Sequence, residues 1–327
     1  MTASPSGLLT GTDPALQASV NAGLEQVEAR LREVVQSAHP LLTETAAHLV
    51  DAGGKRFRPL LTLLAAHLGD GVSGDVVDAA VVVELTHLAT LYHDDVMDEA
   101  RVRRGAQSAN ARWTNTVAIL TGDYLFARAS DLTAGLGTEA THLQSRTFAR
   151  LVEGQIAETA GPAEGQDPIE HHLQVLADKT GSLIATSARL GAMTAGVDPR
   201  LVETLADYGE VIGVAFQLSD DLIDVLSESG QSGKTPGTDL REGIATLPVL
   251  LGRDDAALMA VLGGDLSSDP ALDRALQALR VHPALDLARE RMTAYVDRAR
   301  EIALSLPEGA ARQALVSLAD YVLARTG

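Results

Sequence analysis

The chain has 327 residues, of which 46% are hydrophobic and only 3% aromatic, with a formal net charge of −18 and no cysteine. That acidity excludes the basic stripe of a nucleic-acid surface, and the missing cysteines exclude disulfides and thiolate metal sites. No charge-free apolar run approaches the ~20 residues of a membrane span. The cysteine-free composition fits a cytoplasmic protein. Met1 to Thr12 lacks a basic start and a long apolar core, so residues 1–12 read as a disordered tail rather than a signal peptide.

Taken in order, the pattern is helical throughout. Four Asp-Pro pairs, at Asp13, Asp167, Asp198 and Asp269, read as N-cap followed by N1. Helices are predicted over 16–35, 40–51 and 59–68, with Gly53-Gly54 breaking the chain between the last two. Ser73 caps a long helix to about Asp98. Its middle, Ala79 to Leu91, is apolar nearly all round, as in a helix buried among others. The basic loop Arg101-Val102-Arg103-Arg104-Gly105 follows. Helices then resume to about Ala134, from Glu139 to Thr159, onward to Thr194, and from Leu201 to Leu226. Ser227 to Thr238 reads as a flexible loop, and shorter amphipathic helices fill the rest. No βαβ rhythm and no linker divides the chain, so 13–327 reads as one all-α domain.

Two stretches repeat the pattern Asp-Asp-x-x-Asp: Asp94, Asp95, Asp98 and Asp220, Asp221, Asp224. Residues four apart stack on one helix face, so each stretch makes a two-carboxylate ledge that slightly destabilises its helix unless a cation compensates or water solvates it well. Oxygen donors without Cys suit a hard cation such as Mg²⁺, which binds through a few carboxylates plus substrate phosphates. The two ledges are therefore expected to face each other across a cavity and hold metal. Cations are concentrated beside them. Of 26 basic residues only Lys55, Lys179 and Lys234 are Lys, each beside Gly or Thr, and Lys suits phosphate oxygens. Lys55, Arg56 and Arg58 crowd a Gly-opened turn at a helix start, and Arg103-Arg104 follows the first ledge. His87 lies two turns before Asp94 on nearly the same face, where a buried packing role is equally plausible. His93 reads as packing or as a residue behind the acidic cluster, and His171-His172 as helix surface. A ligand with a diphosphate head and a hydrocarbon tail fits both the charges and the apolar helix.

These stretches resemble the trans-isoprenyl diphosphate synthases, or polyprenyl synthetases. The motifs stand in the family's order: Gly53-Gly54-Lys55-Arg56-Phe57-Arg58-Pro59, His87, Asp94 to Arg104, Lys179-Thr180, and Phe216-Gln217 to Asp224. The resemblance implies an all-α isoprenoid-synthase bundle around a central cavity, usually a homodimer. It implies that Lys55, Arg58, His87 and Arg104 hold isopentenyl diphosphate. Arg103, Lys179 and Lys234 would hold the allylic diphosphate with Mg²⁺ on Asp94, Asp98 and Asp220. Asp95, Asp221 and Asp224 would act through water or from behind, with Asp224 closing the second metal ledge. Thr180 and Gln217 would lie near the allylic cation. Ile244 stands where the family often has Lys, so one diphosphate contact is absent or comes from Arg241.

The resemblance also implies that bulky residues just before the first Asp limit product length. Thr86, Ala89 and Thr90 stand there and form no plug, so a long-chain product, as for quinone side chains, is expected. Tyr92 is placed to narrow the entrance. The alternatives are a shorter-chain synthase, a non-catalytic partner subunit and, on His93-Asp94 alone, a His-Asp phosphohydrolase.

Overall fold

The computed structural model describes residues 12–227 and 236–325. The expected tail lies, apart from Thr12, outside them, as does Lys234. In order, α1 spans Pro14–Val34, α2 Pro40–Asp51, α3 Phe57–Ala66 and α4 Gly74–Met97. A two-residue hairpin follows, β1 Val102–Arg103 against β2 Ala106–Gln107. Then come α5 Ala109–Arg112, α6 Asn115–Gly135, α7 Thr138–Ala160 and α8 Pro168–Leu176. A π turn at Ala177–Gly181 joins α8 to α9 Ser182–Thr194. The rest is α10 Pro199–Leu226, α11 Thr238–Arg241, α12 Leu247–Leu251, α13 Ala256–Leu262, α14 Asp269–Arg280, α15 Pro283–Leu304 and α16 Ala310–Ala324.

The chain divides into two compact units, each drawn from three segments: 1–149, 183–209 and 302–317 in the first, 150–182, 210–301 and 318–327 in the second. In the first, α4 packs against α6, α3 and α1. Its residues from Val76 to Ala89 are buried on nearly every face, as its all-round apolar sequence requires. α1 offers a narrower stripe, Leu16, Val20, Leu24, Val27, Leu31 and Val34, at three- and four-residue spacing. The second unit has its own core, in which Leu218, Leu222 and Val225 of α10 pack with Leu272, Leu276, Leu279, Leu285 and Met292.

The predicted caps hold with one shift. Asp13, Asp167 and Asp198 accept backbone N–H groups at their helix starts, and Ser73 accepts from Val76. At the fourth pair the N-cap is Ser268, and Asp269 is the first helical residue. A carboxylate in that first turn still meets the positive end of the helix dipole. Helix α3 starts at Phe57 rather than at Pro59, because Arg56 turns left-handed (φ 46°) and releases the chain into helix earlier.

Close packing of α3 on α9 leaves no room at Gly191, where an added Cβ would stand 2.1 Å from the Thr62 carbonyl oxygen. Gly191→Ala should therefore cost about 1–3 kcal/mol through overpacking. A urea melt should show a lower midpoint at unchanged m-value; wild-type stability would refute this reading of the contact.

Candidate active site

The first unit gathers most of the expected cations. Gly53 and Gly54 take φ of 78° and 152°, values that suit glycine, and the Arg104 guanidinium lies against Gly54 where a Cβ would be 3.0 Å away. Arg104 donates to the Gly53 carbonyl and to that of Leu49 (3.3 Å). Arg56, 4% exposed, is spent on the protein itself. It donates to Glu28, to the Val50 carbonyl (2.9 Å) and to buried Glu84 (2.7 Å). Arg58 has a buried Nε without a hydrogen-bond partner. Desolvation and the nearby Arg104 push its pKa down to about 10, against the pull of Glu84. Burial, then Arg58, Arg104, Arg103 and Arg56, hold the His87 imidazole well below its ordinary range. His87 is thus neutral at pH 7 inside a cationic pocket, one suited to receive several negative charges.

The first acidic cluster ends α4. Asp98 is the C-cap, and its N–H bonds to the Asp94 carbonyl at 2.8 Å, so the two residues stack as their spacing requires. Carboxylates at a helix C-terminus oppose the dipole. Asp95 is fully buried and accepts from Arg103 Nε at 2.6 Å, while its second oxygen has no hydrogen-bond partner. Burial raises the Asp95 pKa, and Arg103 offsets part of that shift. Tyr92 does not sit at an entrance. It is fully buried and bonds the Thr45 carbonyl, turned away towards α2. His93 packs on α6, bonded to the Ile119 carbonyl at 3.1 Å over Gly122.

The three residues expected to gauge the tail divide. Thr86 and Thr90 share the Asp94 side of α4 by their spacing, whereas Ala89 is buried where its carbonyl approaches Gly122 of α6. Thr86 donates to the Val82 carbonyl and accepts from Gln144 of α7 at 2.6 Å. Gln144, unmarked in the sequence, is 7% exposed and keeps a buried carbonyl oxygen without a partner.

The second unit holds the other cluster at the end of α10. Asp220 pairs with Arg325, whose guanidinium lies 4.4 Å from the Phe216 ring centre. Asp221, 4% exposed, accepts from Gln217 at 3.2 Å and stands 3.5 Å from His172 Nε2. The Thr180 hydroxyl reaches the Gln217 side-chain oxygen at 3.5 Å. His172 is thus part of this cluster rather than helix surface; its partner lies 49 residues on, beyond any periodicity. Asp224 accepts from the N–H groups of Thr238 and Asp239 (3.2 Å each) and so caps α11. Lys179, on the π turn, meets Glu158 at 2.6 Å, a half-exposed pair of about 0–1 kcal/mol. Arg241 is turned to the exposed Asp269 at 2.6 Å.

Among the described residues no three Asp, Glu, His or Cys side chains converge into a ready-made metal cage. Each cluster taken by itself nonetheless offers only carboxylate oxygens, a donor set that fits a hard cation drawing its remaining ligands from water and phosphate.

A family model described as polyprenyl synthetase matches residues 39–279. The chain belongs to the polyprenyl synthetase family. A nonaprenyl diphosphate synthase of Mycobacterium tuberculosis is 47% identical over 321 residues, 96% of each chain. A dimethylallyltranstransferase of the same organism is 41% identical, over 95% of this chain and 96% of that one. Among solved structures, geranylgeranyl pyrophosphate synthase from Corynebacterium glutamicum, complexed with calcium and isoprenyl diphosphate, superposes with a TM-score of 0.85. It is 45% identical and covers 96% of this chain and 98% of its own. This polyprenyl synthetase is accordingly a prenyltransferase with the all-α isoprenoid synthase fold. No helix among the described residues is long and apolar enough to cross a membrane.

Because His87 has a lowered pKa when folded, the unfolded chain binds the extra proton first. Its contribution to stability is present above about pH 6.5 and is lost as pH falls from there towards the folded value. Nitrogen-detected NMR should show His87 neutral at pH 6.5 in the ligand-free protein; a half-protonated ring there would contradict the desolvated pocket.

Proposed function

We propose that this prenyltransferase is a polyprenyl diphosphate synthase. It condenses isopentenyl diphosphate head-to-tail with an allylic diphosphate, in the presence of Mg²⁺, to a long-chain all-trans product for a quinone side chain. The observation that carries this reading is the half-buried cationic group of Arg58, His87 and Arg104, with Arg104 laid against the Gly53–Gly54 turn, in the same unit as the helix that ends in Asp94 and Asp98. Such a pocket suits a compact polyanion, and the apolar α4 suits its hydrocarbon.

Lys55, Arg58, His87 and Arg104 bind the diphosphate of isopentenyl diphosphate. Arg103, Lys179 and Lys234 bind the allylic diphosphate. Asp94, Asp98, Asp220 and Asp224 hold Mg²⁺, which supplies positive charge to the departing diphosphate. Asp95 orients Arg103, and Asp221 orients Gln217. Thr180 and Gln217 lie beside the developing allylic cation and offer it oxygen dipoles. The buried apolar side chains of α4 keep water from that cation. We further propose a single domain over 13–327, a cytoplasmic location and a homodimer. Exposed Ile119 and Leu120 of α6, and Phe148, Val152 and Ile156 spaced four apart on α7, support a partner face.

A shorter-chain synthase is the second reading. The Gln144 to Thr86 bond favours it, because it places a polar group two turns from Asp94.

Incubation with Mg²⁺, farnesyl diphosphate and labelled isopentenyl diphosphate should give a ladder of labelled prenyl diphosphates longer than C20. Release of inorganic phosphate without chain growth would instead indicate a hydrolase. Asp94→Ala should lower turnover by at least about a hundredfold through lost charge stabilisation, with the far-UV CD spectrum unchanged. Thr90→Phe should shorten the product, and it tests the tail path better than Ala89→Phe, which would clash with α6.

A further inference from the structure

We propose that Glu84 is a positioning residue for the homoallylic diphosphate pocket: with Arg56 it holds the Gly53–Arg58 turn and Arg104 in their binding arrangement. This rests on the assignment of Arg58, His87 and Arg104 to isopentenyl diphosphate. A carboxylate inside a site for a polyanion is the wrong charge for direct binding, so its presence needs another reason.

Its surroundings supply one. Glu84 lies on α4, is 2% exposed, and meets two arginines from different loops: Arg56 Nη1 at 2.7 Å and Arg104 Nη2 at 3.6 Å. It also raises the Arg58 pKa against desolvation. Arg56 is closed on itself, since its donors go to Glu28, Glu84, Gly53 and Val50. It is therefore a strut within its motif and not a phosphate ligand. The Gly53 carbonyl accepts from Arg56 and Arg104 alike, so Glu84 and Gly53 together tie the two loops. Both arginines adopt left-handed backbone (φ 46° and 54°). That conformation is disfavoured for residues with a Cβ, and persists only where surrounding contacts impose it. Buried ion pairs contribute little net stability but fix geometry. In this pocket the geometry fixed is that of Arg58, one residue beyond the Arg56–Phe57 peptide, and of Arg104 itself.

The sign of the effect discriminates. Were Glu84 only a charge, Glu84→Gln would make the pocket more positive and lower the KM for isopentenyl diphosphate. As a positioning residue its loss should raise that KM about ten- to a hundredfold, the value of one or two charged hydrogen bonds. The KM for farnesyl diphosphate and kcat should stay within about threefold. Titration calorimetry with isopentenyl diphosphate alone should show the same weakening. An unchanged or lower KM would overturn the proposal. So would a fall in kcat and melting temperature with both KM values preserved, the mark of a merely structural residue. Should Glu84→Gln not fold, Glu84→Asp keeps the charge but shortens the reach. It should raise the same KM by a smaller factor, and a wild-type KM there is equally fatal. Wild type assayed alongside separates the two levels. No turnover of isopentenyl diphosphate by wild type would sink the proposed function, whereas turnover with an indifferent Glu84 would sink only this inference.

Discussion

Carboxylates at the wrong end of a helix are the constraint on which this molecule turns. α4 and α10 each finish in three aspartates, where the dipole is negative and like charges stack one turn apart. Each such charge costs its helix end up to about 1 kcal/mol, and each end has positive charge nearby. Arg103 returns through the hairpin onto Asp95, and Arg325 comes from beyond α16 onto Asp220. The hairpin β1–β2, too short to stabilise itself, is explained by that return. A cation from solution would relieve the same repulsion, which is the physical ground for the metal sites proposed at these helix ends.

The cationic pocket is the converse case. Arg58, Arg104 and His87 are crowded and desolvated, a state that an anion relieves. Two opposite electrostatic problems thus arise in one unit, the combination on which the proposed diphosphate site rests. The interior carboxylate Glu84 lies between Arg56 and Arg104 and offsets part of that positive charge.

Much of this was legible beforehand, for physical reasons that can be named. The helices showed through apolar spacing and Asp-Pro caps, and the acidic ledges through a four-residue repeat. Local chemistry of that kind is written in adjacent residues. What escaped depends on distant partners. Glu84 falls inside the stretch that reads as apolar nearly all round, and nothing near it in sequence announces Arg56. His172 looked like surface until Asp221 was placed beside it, and Tyr92 looked like an entrance residue until Thr45 claimed its hydroxyl. The left-handed Arg56 at the start of α3, ion-paired to the distant Glu28 and Glu84, likewise has no local signal.

The π turn at Ala177–Gly181 has a consequence for how this chain tolerates change. A π turn carries one residue more than the α-helical turn it interrupts, and it displays Lys179 and Thr180. Each helical residue advances the side chains by about 100°. Deleting any single residue from 177 to 181 would heal the turn into regular helix and rotate one flank against the other by that angle. Lys179 and Thr180 would lose their presentation although both were still present. What this stretch guards is a phase, so it should accept substitutions at its exposed positions far more readily than a change of length by one.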